Sequence, residues 1–444
     1  MNRLINTLFT SSEAAYAWLF GAAFICMFAF LVTIPLPRID GMLIGSDGIK
    51  YYAILRSITL DRDFDFTNDY TLLNEPFKIV EDTGKPQNPF AVGSALLWLP
   101  FFLIAHVLAV GLNALGISTA TEGVSYLYQA AALTGTIFYA SVGFILIYQT
   151  TRRLFSVPSS LLAVLALWWA APGIYYMIAE PSMSHGMTIF TSALFLFVWY
   201  PPREKRSAVH WVVLGFVTGL AALVRWQEMV IAIVPVVELI WWFSKGKSTW
   251  QKSLRNFLLF GMTLLIVFLP QFFMWQQIYG SPLVIPQGND FMHWLDPKPI
   301  LTLFSTRHGL LTWHPVFLLA LVGLVPLWRR DKILVLVILG IFLAQLYVNS
   351  ATDHWWADDA FGGRRFISLI PFFVLSLAAL IDYFEERGQL RWVVTVLILL
   401  VIWNGLSFVQ YRLGFVSKDE ALTWQEMTVD RILLPWKMLQ SFLN

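Results

Sequence analysis

The sequence predicts an all-α polytopic membrane protein, on three observations. Of 444 residues, 57% are hydrophobic and 13% charged, where a soluble domain carries about 25% charged residues. Twenty Trp and fifteen Tyr suit a chain with two membrane–water interfaces, at which amphipathic rings settle. Apolar runs of spanning length recur from end to end between short charged connections. A net charge of +2 with no long basic run excludes nucleic acid as a partner. The single Cys26 lies inside the first apolar run, which excludes an intramolecular disulfide and a cysteine metal site. No small-residue cleavage site follows that run, so it reads as a span rather than a removed leader.

About eleven spans are expected. The first, near residues 15–36, leads into a long external loop over 37–125. In that loop Ser46 or Asp47 suits the N-cap of a helix beginning at Gly48. Tyr51, Ile54, Leu55 and Ile58 recur along one side of it, the pattern of a helix lying flat on the membrane. Asp61, Asp63, Asp65 and Asp69 follow, but an EF-hand loop starting at Asp61 fails because the chain has Phe66 and Leu72 where Gly and Glu are required. Residues 91–112 are long enough to span yet contain Pro100 and His106. Further spans fall near 126–149, 159–179, 185–200, 208–224, 229–243 and 257–275. An aromatic-rich loop over 276–309 precedes the last four, near 310–328, 333–350, 366–382 and 392–409, and the tail 410–444 is external.

Charge sets the orientation. If 91–112 does not cross, the basic connections "TRRLF", "PPREKRS", "SKGKSTWQKSLRN" and "WRRDK" all lie on the cytoplasmic side, and if it crosses all four move outside. The first arrangement is adopted: a cytoplasmic N-terminus, 91–112 at or dipping into the outer surface, and most carboxylates external. Residues 1–444 then form a single transmembrane domain with no soluble domain, repeat or linker.

Three stretches carry a family resemblance: "GSDGIKYYAILRSI" after the first span, "DFDFTNDY" behind it, and "GKPQNPFAVGSALLWLPFF", where Lys-Pro precedes an apolar helix. Together with the span layout, the turn "AEPSMSH" and "WWADDAFGGRRF", the chain resembles the GT-C superfamily of membrane glycosyltransferases, which includes protein O-mannosyltransferases and the aminoarabinose transferase of lipid A. The resemblance implies a GT-C fold with juxtamembrane helices in the first external loop. It also implies an enzyme of the cytoplasmic (inner) membrane with its site on the external or periplasmic face. Many relatives carry Asp-Glu where this chain has Asp47-Gly48, which puts metal binding by a second acid in doubt. No cofactor and no metal ligand are assigned, and a divalent cation stays open.

The implied reaction moves a sugar from a polyprenyl-phosphate donor to a hydroxyl of a glycan, glycolipid or protein acceptor, with inversion. The acceptor needs a base, worth about 10²–10⁴ in rate, and the departing phosphate needs fixed cations. By position and resemblance Asp47 is the expected base and Glu180 the second acid. Lys85, Arg225 and Arg364 or Arg365 are expected at the donor phosphate. Arg225 sits in an apolar hairpin, where an unpaired cation is costly, and a structural pair with Glu228 is the competing reading. Tyr51, Asp65, Asp69, His185 and His354 are weaker substrate-binding candidates. "DHWWADD" places His354 and Asp358 four residues apart, but no third ligand supports a zinc site. The rival readings are a transporter or flippase, disfavoured because ionisable residues gather on one face without a two-half repeat, and a catalytically silent scaffold that binds a lipid-linked glycan.

Overall fold

The computed structural model describes residues 11–35, 41–200, 206–246 and 248–443. Apart from two isolated bridges, regular structure among these residues is helical. The principal helices are α1 (Ser12–Thr33), α2 (Asp47–Arg56), α3 (Thr67–Leu72), α4 (Gly93–Ala114), α5 (Tyr126–Thr151), α6 (Val157–Ala170), α7 (His185–Trp199), α8 (Ala208–Val224), α9 (Ile233–Ser244), α10 (Trp250–Tyr279), α11 (Lys332–Ser350), α12 (Ile370–Glu385) and α13 (Leu390–Arg412). Among the described residues eight helical segments are long and apolar enough to cross a membrane, α4 included, and a ninth is formed if α6 and Pro172–Ile178 count as one span bent by 61°. Helices α7 and α8 are apolar but shorter. The basic connection "PPREKRS" falls mostly outside the described residues.

Two expected spans are interrupted. That near 159–179 breaks at Ala171, between α6 and Pro172–Ile178, and in place of one span near 310–328 the chain forms Leu310–Trp313, Val316–Val322 and Leu324–Arg330. Pro315 stands at the first break, where it has no N–H to give a helix. At the second, a Cβ on Gly323 would lie 2.0 Å from the Ser376 carbonyl oxygen, so only glycine admits the contact with α12.

The chain divides into two compact units. One comprises residues 1–22, 144–175 and 290–444. In it α6 packs against α12 and α13, and the segments from Val316 to Arg330 line α12. Ser156 and Ser159 each donate a hydroxyl hydrogen bond of 2.5 Å to Glu385 at the end of α12, and Arg330 pairs with Asp382 and Glu386.

The other unit comprises residues 23–143 and 176–289. Helix α8 lies along α10 through Gly215 and Gly219, where added Cβ atoms would come within 2.4 Å of the Phe260 oxygen and 2.8 Å of Val267 Cβ. Small residues at this four-residue spacing let two helices approach closely in a membrane. Helix α2 departs from the expectation of a half-exposed helix lying flat. Tyr51, Tyr52, Ala53, Ile54 and Leu55 are all buried, because α4 covers one side and the Tyr52 hydroxyl donates to the Gly123 carbonyl across another, at 2.7 Å. The helix begins at Asp47, with Ser46 as an N-cap that makes no side-chain bond.

The packing of α4 bears on whether it crosses. Trp98 Nε1 donates to Thr136 Oγ1 at 2.8 Å, Phe101 packs on Tyr139, and His106 Nδ1 meets the Tyr128 hydroxyl at 2.8 Å. Trp98 and Phe101 thus meet α5 at Thr136 and Tyr139, while His106 meets its first turn at Tyr128. The segments on both sides of α4 meet α2: Asn88 Nδ2 donates to the Lys50 carbonyl at 3.0 Å, and Arg56 Nε donates to the Glu122 carbonyl at 2.7 Å. Six residues of helix separate Lys50 from Arg56, about 9 Å, far less than a hydrocarbon core of about 30 Å. These contacts favour a helix that leaves and returns on one side. With Cys26 replaced by Ser, cysteines introduced at Asp63 and at Leu115 are therefore expected to react with a membrane-impermeant thiol reagent from the same side. Labelling from opposite sides would show that α4 crosses.

Candidate functional site

Asp47, Tyr51, Lys85, Glu180, His185 and Arg225 all lie in the second unit. Asp47 opens that helix and is half-buried. Against its first turn lies the segment Glu180–Ser184. A Cβ on Gly48 would stand 2.4 Å from both Cβ and Oγ of Ser182, so the turn reaches α2 only because residue 48 has no side chain. Tyr51, one turn on, bonds its hydroxyl to Ser184 Oγ at 3.0 Å. Glu180, also half-buried, stands two residues before Ser182 in that turn.

The turn runs directly into α7, whose first residue is His185. Arg225, just past the end of α8, donates from Nη1 to His185 Nδ1 at 3.2 Å, which leaves the proton of the neutral ring on Nε2. Tyr176 packs on the same imidazole at 4.3 Å between centroids. The Arg225 guanidinium is therefore held by His185 at the start of α7, next in sequence to the turn that carries Glu180.

Lys85 lies on a small hairpin in which Val80 N–H donates to Lys85 and Gln87 N–H donates to Lys78, both at 2.8 Å. Its ammonium donates to Gln277 Oε1 at 3.1 Å, and Thr83 anchors the same hairpin to the Ile278 carbonyl. From there the chain runs past α2, with Phe90 against Tyr51 at 4.8 Å between rings. It then passes α10, where Val92 N–H donates to Gln271 Oε1 at 2.9 Å, and reaches Gly93, whose added Cβ would lie 2.4 Å from the Leu223 backbone. Lys85, Arg225, His185, Glu180, Tyr51 and Asp47 thus stand on neighbouring elements of one unit.

Two weaker candidates have local structural work. Asp65 Oδ1 accepts from Thr67 N–H at 3.1 Å and Thr67 Oγ1 at 2.6 Å, which starts α3. Asp69 is buried and pairs with Arg56 at 2.8 Å, while Asp61 meets the same guanidinium at 2.6 Å. Arg364, Arg365 and His354 belong to the other unit. There Arg365 bonds to Thr352 Oγ1, Arg364 acts electrostatically on His308, and exposed His354 joins Asp358 at 2.6 Å. Among the described residues no three His, Cys, Asp or Glu side chains converge as metal ligands. Sequence reasoning passed over Ser182, Ser184 and Gln277. The two serines stood in plain view in "AEPSMSH", but nothing local shows which residue a turn will touch.

No protein-family model matches the chain, and no curated protein sequence matches it. Among solved structures, ArnT from Cupriavidus metallidurans in the apo state superposes over 95% of this chain and 73% of its own, at 14% identity and TM-score 0.52. The same protein bound to undecaprenyl phosphate matches at 16% identity and TM-score 0.52, over 96% of this chain and 73% of its own. The archaeal oligosaccharyltransferase AglB from Archaeoglobus fulgidus, in complex with an inhibitory peptide and a dolichol-phosphate, matches over 92% of this chain at 12% identity and TM-score 0.50. This chain spans 57% of the oligosaccharyltransferase's length. The fold is the GT-C fold.

Two tests follow from the geometry. Gly48→Ala is expected to cost about 1–3 kcal/mol through overpacking, read as a lower unfolding temperature in detergent, and Ser182→Gly in the same chain is expected to recover most of it. Absence of that recovery would show that the turn does not press on α2. The second concerns pH. Burial pushes the Asp69 carboxyl up to about 6 against the pull of Arg56, so the folded chain holds this proton more tightly than the unfolded one. Stability contributed at Asp69 is then greatest below about 4 and falls as pH rises to about 6. The unfolding temperature of the wild type minus that of Asp69→Asn should be larger at pH 4 than at pH 7, and a flat difference would refute the assignment.

Proposed function

We propose that this protein is a glycosyltransferase that moves a sugar from a polyprenyl-phosphate donor to a hydroxyl acceptor at the outer face of the membrane. The observation that carries the reading is the packing at the start of α2: an acid opens a buried helix, the turn that carries a second acid seats Ser182 on the next residue, and a guanidinium is bonded to His185 where that turn enters α7. The GT-C fold agrees with it, and two of the structural neighbours hold lipid phosphates.

In this reading Asp47 is the general base. The acceptor O–H bond breaks as its oxygen attacks the anomeric carbon, and the proton passes to the Asp47 carboxylate. The bond from the anomeric carbon to the phosphate oxygen breaks on the opposite face, so the configuration inverts and the electron pair leaves with the lipid phosphate. Charge then grows on phosphate oxygens, where Lys85 and Arg225 supply fixed positive groups that need no reorganisation. Glu180 orients acceptor hydroxyls beside Asp47, and His185 positions Arg225. The attachment of Asp47 to a helix buried on several sides favours a base held in one place.

The test compares envelope lipids and glycans by mass spectrometry in source cells carrying the wild type, a deletion, or Asp47→Asn at matched protein levels. One species is expected to lose a fixed sugar mass in both mutants, with transfer slowed by about 10²–10⁴ in the variant. A normal profile with Asp47→Asn would remove Asp47 as the base.

A further inference from the structure

Beside the hairpin that carries Lys85 lies a groove of about 370 Å³, lined by Lys50, Pro76, Phe77, Lys78, Gln87 and Pro89. Its size falls at the lower end of small-molecule sites, which run from about 300 to 1,000 Å³. The two sides of the hairpin differ. Lys85 reaches away to Gln277 on α10, whereas Lys78 and Gln87, paired through the backbone, face the groove. The far wall is α2 itself, because Lys50 stands three residues after Asp47. That spacing places the two side chains on one helical face, about 5–6 Å apart at Cβ.

The lining has a definite chemistry. Pro76, Pro89 and Phe77 offer flat apolar faces of the kind that pack against the C–H face of a pyranose, and Phe77 is braced by Tyr70 at 5.6 Å. Charge does not cancel within the groove. The Lys50 ammonium is matched by Glu75 at 2.5 Å, while Lys78 is exposed and its ammonium has no partner among the described residues. Lys78 is thus available to an anion, whereas Lys50 is already paired.

We propose that this groove is the acceptor subsite and that it takes a sugar bearing an anionic group, a carboxylate or a phosphate, met by Lys78. The assignment rests on the transferase reading above and deepens it. A pyranose seated on Phe77 and the two prolines, with its anion toward Lys78, presents a hydroxyl past Lys50 toward Asp47. Lys85, turned to the other side of the hairpin, remains for the donor phosphate. One short hairpin would thereby hold both substrates apart by its two faces.

The probes are methyl glucuronide, glucose 6-phosphate and methyl glucoside, with binding to the purified full-length protein followed by ligand-detected NMR. The two charged sugars are expected to bind about tenfold more tightly than the glucoside, a difference of about 1.4 kcal/mol. Lys78→Glu should bring them to the level of the glucoside, and Phe77→Ala should weaken all three. Both positions are exposed, and an unchanged unfolding temperature checks that each variant folds. Lys85→Ala and added undecaprenyl phosphate should leave binding of the charged sugars unaltered. Equal binding of the glucoside, indifference to Lys78→Glu, or displacement by undecaprenyl phosphate would each overturn the assignment, the last by showing that the anion site belongs to the donor. Because binding does not require the base, Asp47→Asn should retain it. Charged-sugar binding that persists while Asp47→Asn leaves the envelope unchanged would defeat the transferase reading and not the anion-binding groove.

Discussion

The arrangement at the start of α2 depends on one contact, the closure of the Glu180–Ser184 turn onto Gly48. With no Cβ at that position the turn settles against the helix, and Tyr51 ties the two together through Ser184. The same turn leads into His185 and so fixes where Arg225 is held. If the turn stood off by the width of a methyl group, Glu180 and the Arg225 guanidinium would both move relative to Asp47. In the transferase reading proposed above, where proximity effects are steep in distance, a small residue in a turn contact would set the geometry of the proposed base, second acid and cation.

Burying α2 has an electrostatic consequence. Arg56 goes in with the helix, and a buried guanidinium left without a counter-charge would cost several kcal/mol. Asp61 and Asp69 meet it, which accounts for two of the acids that crowd the sequence just after the first span. Asp63 accepts from Ser57, and Asp65 starts α3 by accepting from Thr67. Glu75 is bound to Lys50. The acidic stretch therefore has mostly architectural work: it allows a charged, aromatic helix to be enclosed rather than laid on a surface.

Much of the fold was legible in the sequence because apolar runs of spanning length have few other destinations than a membrane or a core. Helices α1, α5, α11 and α13 fall close to where hydropathy alone places them. The broken segment after Gly309 was not read as broken, although Pro315 and Gly323 stood in it, since a single Pro or Gly is tolerated in many membrane helices. The burial of α2 was not legible either. Its apolar spacing fits a flat surface helix, and what encloses it comes from Gly123, Phe90 and Ser182, positions that no local pattern connects. Arg225 illustrates the same limit: a sequence shows near neighbours, while the guanidinium donates to His185, forty residues back.

The departure at Gly48 from the Asp-Glu pair of many GT-C relatives then has a physical reading. Two consecutive acids on a helix point about 100° apart, so the second lies on a neighbouring face whatever the rest of the fold does. Here residue 48 gives up its side chain, and the space admits a turn that carries an acid of its own. In the proposed reading the second carboxylate is Glu180, which comes from that turn, a different element placed by packing instead of by covalent sequence. Its position is consequently only as firm as the seat of Ser182 on Gly48, and anything that loosens the turn should disturb Glu180 and Arg225 together while leaving Asp47, anchored in α2, where it is.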